Sequence, residues 1–340
     1  MPGDFMKREI AEQPGVLAGL VARGNQVSRE LNKVPTDFKG VAFLARGSSD
    51  RAALLGRYAV EAGTGLPTCL IAPSVIAGAP AHRFEGWLVV ALSQSGRTPE
   101  IITAAEHFRR SGAVVVAITN DPSSALAGSA DVHIDVGAGP ERAVPATKTV
   151  TAQMLACLLL AGALAEPGYA AGADELAEIP DIIGHLLADE DAVRSTAAEL
   201  AAYDRVAVVG RKWCYPAAME TALKLQETVG VMAHGFSSAD FRHGPIAVCG
   251  PTAAAVLFAG SSGAADDDTR ALVDELRGRR AWSILIGAGH ASSITWPALG
   301  HAGECILATV RGQQLAYHWS MVTGVDPDQP AGLRKVTLTH

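Results

Sequence analysis

Ser93, Gln94, Ser95, Gly96, Arg97, Thr98, Pro99 and Glu100 follow directly on the apolar run Trp87–Leu92 and precede the helical pattern Ile101 to Arg110. A buried strand that ends in a hydroxyl-rich turn and opens a helix brings hydroxyls, backbone N–H groups and the positive end of a helix dipole to one point. Those groups together suit a dianionic phosphate. Gly96 allows close backbone approach, and Pro99 fits a first helical turn. The segment has no lysine of the P-loop kind, so it points to a phosphorylated small molecule and not to a nucleoside triphosphate. Taken alone, the same stretch serves equally well as an ordinary strand–turn–helix connection capped by Ser or Thr. Two further segments carry similar groups. Arg46-Gly47-Ser48-Ser49 supplies hydroxyls and amides, and Val144-Pro145-Ala146-Thr147-Lys148 supplies backbone and a hydroxyl at the start of another helix.

Acid–base groups lie in the second half. Glu220, Lys224 and Glu227 fall at i, i+4 and i+7 on a helical pattern that starts near Tyr215, which puts them on one face. The commonest use of that spacing is a solvated Glu–Lys pair, and spacing alone favours it here. Against it, the helix begins just past the strand Val206–Val209, where a cleft would lie. His243 precedes Gly244-Pro245, a rigid turn that suits a positioned proton carrier, although a lone histidine is more often structural. Lys335 sits in a tail that follows the Pro-bracketed lead-in Asp326-Pro327-Asp328-Gln329-Pro330, which implies a tail pinned over something.

The elements that must position these residues form an alternating pattern. In the first half, Val41–Ala45, Thr68–Ala72, Leu88–Leu92, Val114–Ile118 and Val132–Val136 read as strands. Helices are expected at Asp50–Ala62, Pro99–Ser111 and Thr147–Leu164. Residues 166–172, with a proline and two glycines, read as a linker. The second half restarts with strands at Val206–Val209, Ala253–Phe258, Ala281–Ile286 and Glu304–Leu307, and helices at Tyr215–Val229, Asp266–Arg277 and Gln313–Thr323. Val41–Gly47 is echoed by Arg205–Arg211, and the Ser93 turn faintly by Gly260-Ser261-Ser262-Gly263. This is an α/β chain with parallel sheets and a duplicated unit, whose ligands bind beyond the C-terminal strand ends.

Composition narrows the partners. The chain has 340 residues, a formal charge of −7 and no basic stripe, which argues against nucleic acid. Its five cysteines are dispersed, with no C-x-x-C, as expected in a reducing cytoplasm and not for disulfides or zinc. The N-terminal stretch is charged, unlike a signal peptide, and the longest apolar stretch, Met154–Ala165, is too short to span a bilayer.

These pieces together resemble the sugar-isomerase (SIS) domain family in its tandem form. The resemblance rests on ARGSSD at 45–50, SQSGRTPEI at 93–101, AVPATKT at 143–149, ALKLQE at 222–227, HGFSSADFRHGP at 234–245 and PDQPAGLRKVT at 327–337. It implies two SIS domains, each a parallel sheet flanked by helices in a flavodoxin-like three-layer sandwich. Expected boundaries are an N-terminal helical segment at 1–38, domains at 39–170 and 171–325, and a closing tail at 326–340. The family's glucosamine-6-phosphate deaminases are the nearer match, ahead of the isomerase half of glucosamine-6-phosphate synthase.

By that resemblance, Ser48, Ser93, Gln94, Ser95 and Thr98 bind the sugar phosphate, Ser49 lies beside them, and Val144 contacts the sugar. Glu227 matches the base that moves a proton between C1 and C2, and Lys224 the lysine near it. His243 matches the ring-opening histidine, which the family donates from the partner subunit of a homodimer. Lys335 matches the tail lysine that closes over substrate. No cofactor or metal is implied, and no nucleic acid or membrane partner. Ala146 stands where the synthase has a serine, and Arg97 where it has an acidic residue. A glutaminase domain is not expected, since only residues 1–40 precede the first strand. The resemblance leaves open a deglycase or isomerase for another amino-sugar or ketoamine phosphate, an ammonia-dependent synthase working in reverse, and a sugar-phosphate-sensing regulator that does not catalyse.

Overall fold

The computed structural model describes residues 2–31, 33, 35, 37–76, 84–165, 173–261, 263–289 and 292–335. The expected linker at 166–172 and the tail beyond Lys335 lie outside that set. Among the described residues, those within Gly15–Glu141 and Lys148–Ala177 build one compact unit. Those within Met1–Pro14, Arg142–Thr147 and Glu178–Lys335 build the other.

The first unit is a five-stranded parallel sheet: β1 (Gly40–Leu44), β2 (Thr68–Leu70), β3 (Trp87–Ser93), β4 (Val114–Thr119) and β5 (Val132–Asp135), in the order β2-β1-β3-β4-β5. Its strands are near-continuous runs of Val, Ile, Leu and Ala because helices cover both faces. Ala42, Leu44, Val89, Ala91, Val115 and Ala117 share a core with Ile101, Ala105 and Phe108 of the helix Pro99–Arg110. On the opposite face, the helix Ser48–Thr64 lies against Phe43 at Gly56, and Cys157 of the helix Lys148–Leu164 meets the same glycine.

The second unit repeats the plan with β6 (Arg205–Gly210), β7 (Met232–Ser237), β8 (Ala254–Ala259), β9 (Trp282–Ala288) and β10 (Ile294–Trp296), all parallel in the order β7-β6-β8-β9-β10. Counted within each unit, both sheets run 2-1-3-4-5, the doubly wound order that reverses between its first and third strands. One face of the second sheet packs Ala207, Val209, Ala255 and Leu257 against Leu272 and Leu276 of the helix Ala264–Gly278. The helix Cys214–Val229 follows β6 and pairs with the helix Glu304–Thr323, as Ser48–Thr64 pairs with Lys148–Leu164.

One expectation changes, and two strands are added. Glu304–Leu307 is not a strand but the first turn of the twenty-residue helix Glu304–Thr323. That helix is buried nearly all round, so its sequence lacks an amphipathic period, and a short apolar run such as Cys305-Ile306-Leu307 reads the same in a helix or a strand. β7 carries no clear strand signal, because Met232-Ala233-His234-Gly235-Phe236-Ser237 is an edge strand of mixed polarity. β10 is only three residues long. Among the described residues no helix is long and apolar enough to cross a membrane.

Candidate functional site

In the first unit, β1 pairs with β3 and β3 with β4 in parallel register, Leu44 opposite Ala91 and Ser93 opposite Thr119. The turns after β1 and β3 therefore leave the sheet side by side, at the point where the strand order reverses. The first turn carries Arg46, Gly47 and Ser48; the second carries Ser93 to Thr98. Ser93 is buried, its hydroxyl accepts a hydrogen bond from the Gly96 N–H at 3.1 Å, and it lies 3.5 Å from the Thr98 hydroxyl. The Ser95 hydroxyl accepts from the Arg97 N–H at 3.2 Å. Ser48, Gln94, Ser95 and Thr98 are half-buried.

Gly96 is required by the turn's shape. It has φ +61°, and a Cβ there would sit 2.1 Å from the Ser124 hydroxyl. Neither Gly47 nor Thr98 caps its own helix with a side chain, so the N-termini of the helices Ser48–Thr64 and Pro99–Arg110 both face this end of the sheet without a cap from the residue before them. Ser49 behaves differently. It is buried, and its hydroxyl donates to Gln153 Oε1 at 2.9 Å, joining the helices Ser48–Thr64 and Lys148–Leu164.

Two ion pairs brace these turns. The Arg46 guanidinium meets Glu100 with two nitrogens, Nε at 3.1 Å and Nη2 at 2.8 Å. Arg97, which departs from the synthase pattern, reaches Asp121 at 2.8 Å. Hydrogen bonds from Ser123 and then from Arg97 hold the Asp121 carboxyl below the usual carboxylate range. Arg46 and Glu100 lie in the ARGSSD and SQSGRTPEI segments, but their pairing joins residues 54 positions apart. Opposite charges on adjacent turns were the available signal.

In the second unit the helix Cys214–Val229 carries Glu220, Lys224 and Glu227. The spacing suggested a solvated pair; the structure buries it. The side chains of Glu220 and Lys224 are both 0% exposed, and that of Glu227 is 22% exposed. Lys224 Nζ lies 3.4 Å from Glu220 Oε1 and bonds directly to Glu227 Oε2. One lysine thus stands between a sealed carboxylate and one that reaches solvent. The helix is seated by close contact with Glu304–Thr323, where a Cβ on Gly312 would lie 1.9 Å from Thr221 Oγ1.

His243 is exposed at the end of the short helix Ser238–Arg242, whose N-terminus is capped by Ser237. Its turn is anchored at Asp268. That carboxylate accepts from Ser238 at 2.6 Å, from Arg211 at 3.0 Å and from Arg242, which also bonds Glu275 at 2.9 Å. Partial burial works against the Asp268 charge, but the hydrogen bonds from Ser238 and Arg211 and the two arginine charges outweigh it, so its pKa falls below the ordinary value. Arg211 follows β6, so the same hub ties the turn before the Glu227 helix to the histidine turn.

Val144 and the tail lead-in are knit together. The Val144 N–H donates to the Asp328 carbonyl at 3.1 Å. The Asp328 carboxylate, itself buried, accepts from the N–H groups of Phe5 at 2.9 Å and Met6 at 2.7 Å, capping the helix Asp4–Ala11. Buried Glu9 accepts from the N–H groups of Arg142 and Ala143. Lys335 emerges half-buried a few residues after this anchor.

The counterpart of the Ser93 turn in the second sheet is the turn after β8, and it is occupied from within. Glu304, 0% exposed, accepts from the Ser261 N–H at 2.8 Å, from the Ser261 hydroxyl, and from the N–H groups of Leu299 and Gly300 at 2.9 Å each. Among the described residues a side-chain carboxylate thus fills this turn, whereas the Ser93 turn of the first sheet has hydroxyls at the matching place. Among the described residues no three His, Cys, Asp or Glu are grouped as metal ligands. Burial pushes the Cys305 thiol up to about 12, so it is no ready nucleophile.

The SIS domain profile matches residues 36–163 and 199–298. The glutamine–fructose-6-phosphate aminotransferase (isomerizing) of Zymomonas mobilis is 31% identical over 353 residues, which cover 97% of this chain and 58% of that protein. The chain thus spans little more than half the length of the curated relatives it matches. Among solved structures, a candidate phosphosugar isomerase from Silicibacter pomeroyi is 30% identical with a TM-score of 0.83, covering 96% of this chain and 100% of its own. A glucosamine-6-phosphate deaminase from Thermotoga maritima superposes with a TM-score of 0.81 over 99% of this chain and 100% of that one; at 22% identity the likeness is one of fold. With both sheets built on one plan and the profile covering most of their length, the chain belongs to the SIS domain family.

Proposed function

We propose that this chain is an isomerising glucosamine-6-phosphate deaminase that converts D-glucosamine 6-phosphate and water to D-fructose 6-phosphate and ammonia. Ser48, Ser93, Gln94, Ser95 and Thr98 grip the phosphoryl group through hydroxyls, N–H groups and helix dipoles. His243 opens the pyranose ring. Glu227 takes the proton from C2 of the open-chain amino aldehyde and returns it to C1, while the amino group gives up a proton and the C1 oxygen gains one, leaving a hydroxyl at C1 and an imine at C2. Water adds to that imine, and ammonia leaves. Lys224 holds the Glu227 carboxylate in place by direct contact, while Lys335 and Val144 meet the sugar. The enzyme works as a cytoplasmic homodimer in which each copy lends His243 to the other.

The observation that carries this reading is the buried row of Glu220, Lys224 and Glu227, in which Glu227 alone reaches solvent. A lysine held between two carboxylates out of water is an uncommon arrangement for a surface helix and a suitable one for a proton-transfer base. The rigid histidine turn and the open anion-binding turn of the first sheet add to it. The Zymomonas mobilis aminotransferase and the candidate Silicibacter pomeroyi phosphosugar isomerase, each about 30% identical to this chain, support a phosphosugar as the substrate class.

The test is incubation with glucosamine 6-phosphate without glutamine, with fructose 6-phosphate and ammonia followed separately. Equal amounts of both are expected. Formation of neither overturns the proposal. Interconversion of an aldose and a ketose phosphate without ammonia would instead favour a plain isomerase, in line with the Silicibacter pomeroyi likeness. Release of an amino acid from a ketoamine phosphate would favour a deglycase.

A further inference from the structure

We infer that Arg46 and Glu100 form a clamp that sets the spacing of the two turns that hold the phosphoryl group, and that both are positioning residues; this rests on the phosphosugar reading above. Arg46 lies two residues after the end of β1 and immediately before Gly47-Ser48. Glu100 is the second residue of the helix Pro99–Arg110, immediately after Thr98-Pro99. Because β1 and β3 are neighbours, the pair spans the crevice at which the strand order reverses. The contact is two-pronged, with Nε on Oε2 at 3.1 Å and Nη2 on Oε1 at 2.8 Å. The Glu100 side chain is 7% exposed and that of Arg46 is 45% exposed.

A bidentate guanidinium–carboxylate contact fixes orientation as well as distance. Here it ties the residue before the N-cap of one helix to the first turn of the other. Without it, Ser48 on one side and Ser93, Ser95 and Thr98 on the other are joined through separate strand ends, and their hydroxyls need not converge on one phosphoryl group. The arrangement also explains an anomaly. An acidic side chain in the first turn of a phosphate-binding helix would repel the ligand, but Glu100 is turned onto Arg46 and buried, so the pair adds no net negative charge at the turn.

The experiment measures fructose 6-phosphate binding by calorimetry in wild type, R46Q, E100Q, R46Q/E100Q and R46K, with the melting temperature of each recorded without ligand. Each single neutral variant should bind about tenfold more weakly, the size of a coupling of ~1.4 kcal/mol. The double variant should be no worse than either single one, because the two residues act as a unit. R46K keeps the charge but loses the two-pronged fit, so it should fall with R46Q. In turnover of glucosamine 6-phosphate the loss should appear in KM, with kcat within about twofold of wild type. Wild-type affinity in E100Q or R46K overturns the clamp, and R46Q weak beside a normal E100Q would make Arg46 a direct phosphate ligand instead. Losses that multiply in the double variant overturn it as well. Should R46Q fail to fold, R46K and E100Q decide the matter. Failure of wild type itself to bind fructose 6-phosphate overturns the phosphosugar reading, and the clamp with it.

Discussion

Replacing Lys224 by methionine tests the buried charge row most directly. Lys224 and Glu220 are both sealed from water, and Lys224 also bonds Glu227. Methionine fills most of the lysine's volume but carries no charge, so K224M leaves the Glu220 carboxylate buried without its cation. Breaking a buried pair by removing one partner costs about 3–5 kcal/mol. At about 2–4 °C per kcal/mol for a sizeable domain, the melting temperature should fall by roughly 6–20 °C. The companion variant K224M/E220L removes both charges, and apolar replacement of a whole buried pair is often neutral or stabilising. The double variant should therefore regain most of the lost melting temperature. It should not regain turnover, because Glu227 still lacks its lysine. The assay is thermal unfolding beside steady-state release of fructose 6-phosphate for the three proteins. A K224M protein that melts with wild type, or a double variant that melts no higher than K224M, refutes the coupling. A double variant that turns over normally removes Lys224 from the chemistry.

Other outcomes follow from the same geometry. E227Q should lose about 10²–10⁴-fold in kcat while still binding fructose 6-phosphate, since it removes the base and leaves the phosphate turns intact; kcat within a few-fold of wild type would remove Glu227 from that role. If His243 is lent across a dimer, inactive E227Q and H243A proteins mixed and reassociated should recover about a quarter of the intact sites, and no recovery means the histidine serves its own chain. G312A should lower stability by about 1–3 kcal/mol and reduce turnover, because its Cβ would overlap Thr221 Oγ1, and T221A/G312A should restore both. The pKa of Asp268 is lower in the folded protein than in the unfolded chain, so its contribution is complete above the unfolded value of about 3.9 and is lost as pH falls through the folded one. The melting-temperature gap between wild type and D268N should therefore hold from neutral pH to about pH 4 and narrow below it.

Much of this was legible in the residues. Apolar runs such as Val89-Val90-Ala91-Leu92 mark buried strands because parallel strands are covered on both faces, and the echo of Val41–Gly47 in Arg205–Arg211 marks β1 and β6, the first strands of two identically ordered sheets. The Ser93 turn could be read as a hydroxyl-rich junction between a buried strand and a helix because its groups are contiguous. What could not be read depends on residues far apart in the chain. The i, i+4 spacing of Glu220 and Lys224 is identical on a wet or a dry helix, and only the helix Glu304–Thr323 beside it decides. That helix was itself half missed, because a segment buried on every side has no period to detect. Asp328, which caps the Asp4–Ala11 helix from more than three hundred positions away, leaves no local trace at all.

Glu304 gives the duplicated architecture an asymmetry with a measurable consequence. By supplying its own carboxylate to Ser261, Leu299 and Gly300, the chain fills one of its two corresponding turns from within, and on the proposed reading the Ser93 turn alone takes the phosphosugar. Saturation should therefore consume one equivalent of phosphosugar per polypeptide, with a single-site isotherm. On the proposed reading, the sheet relieved of ligand duty is the one left to hold the proton-transfer groups steady.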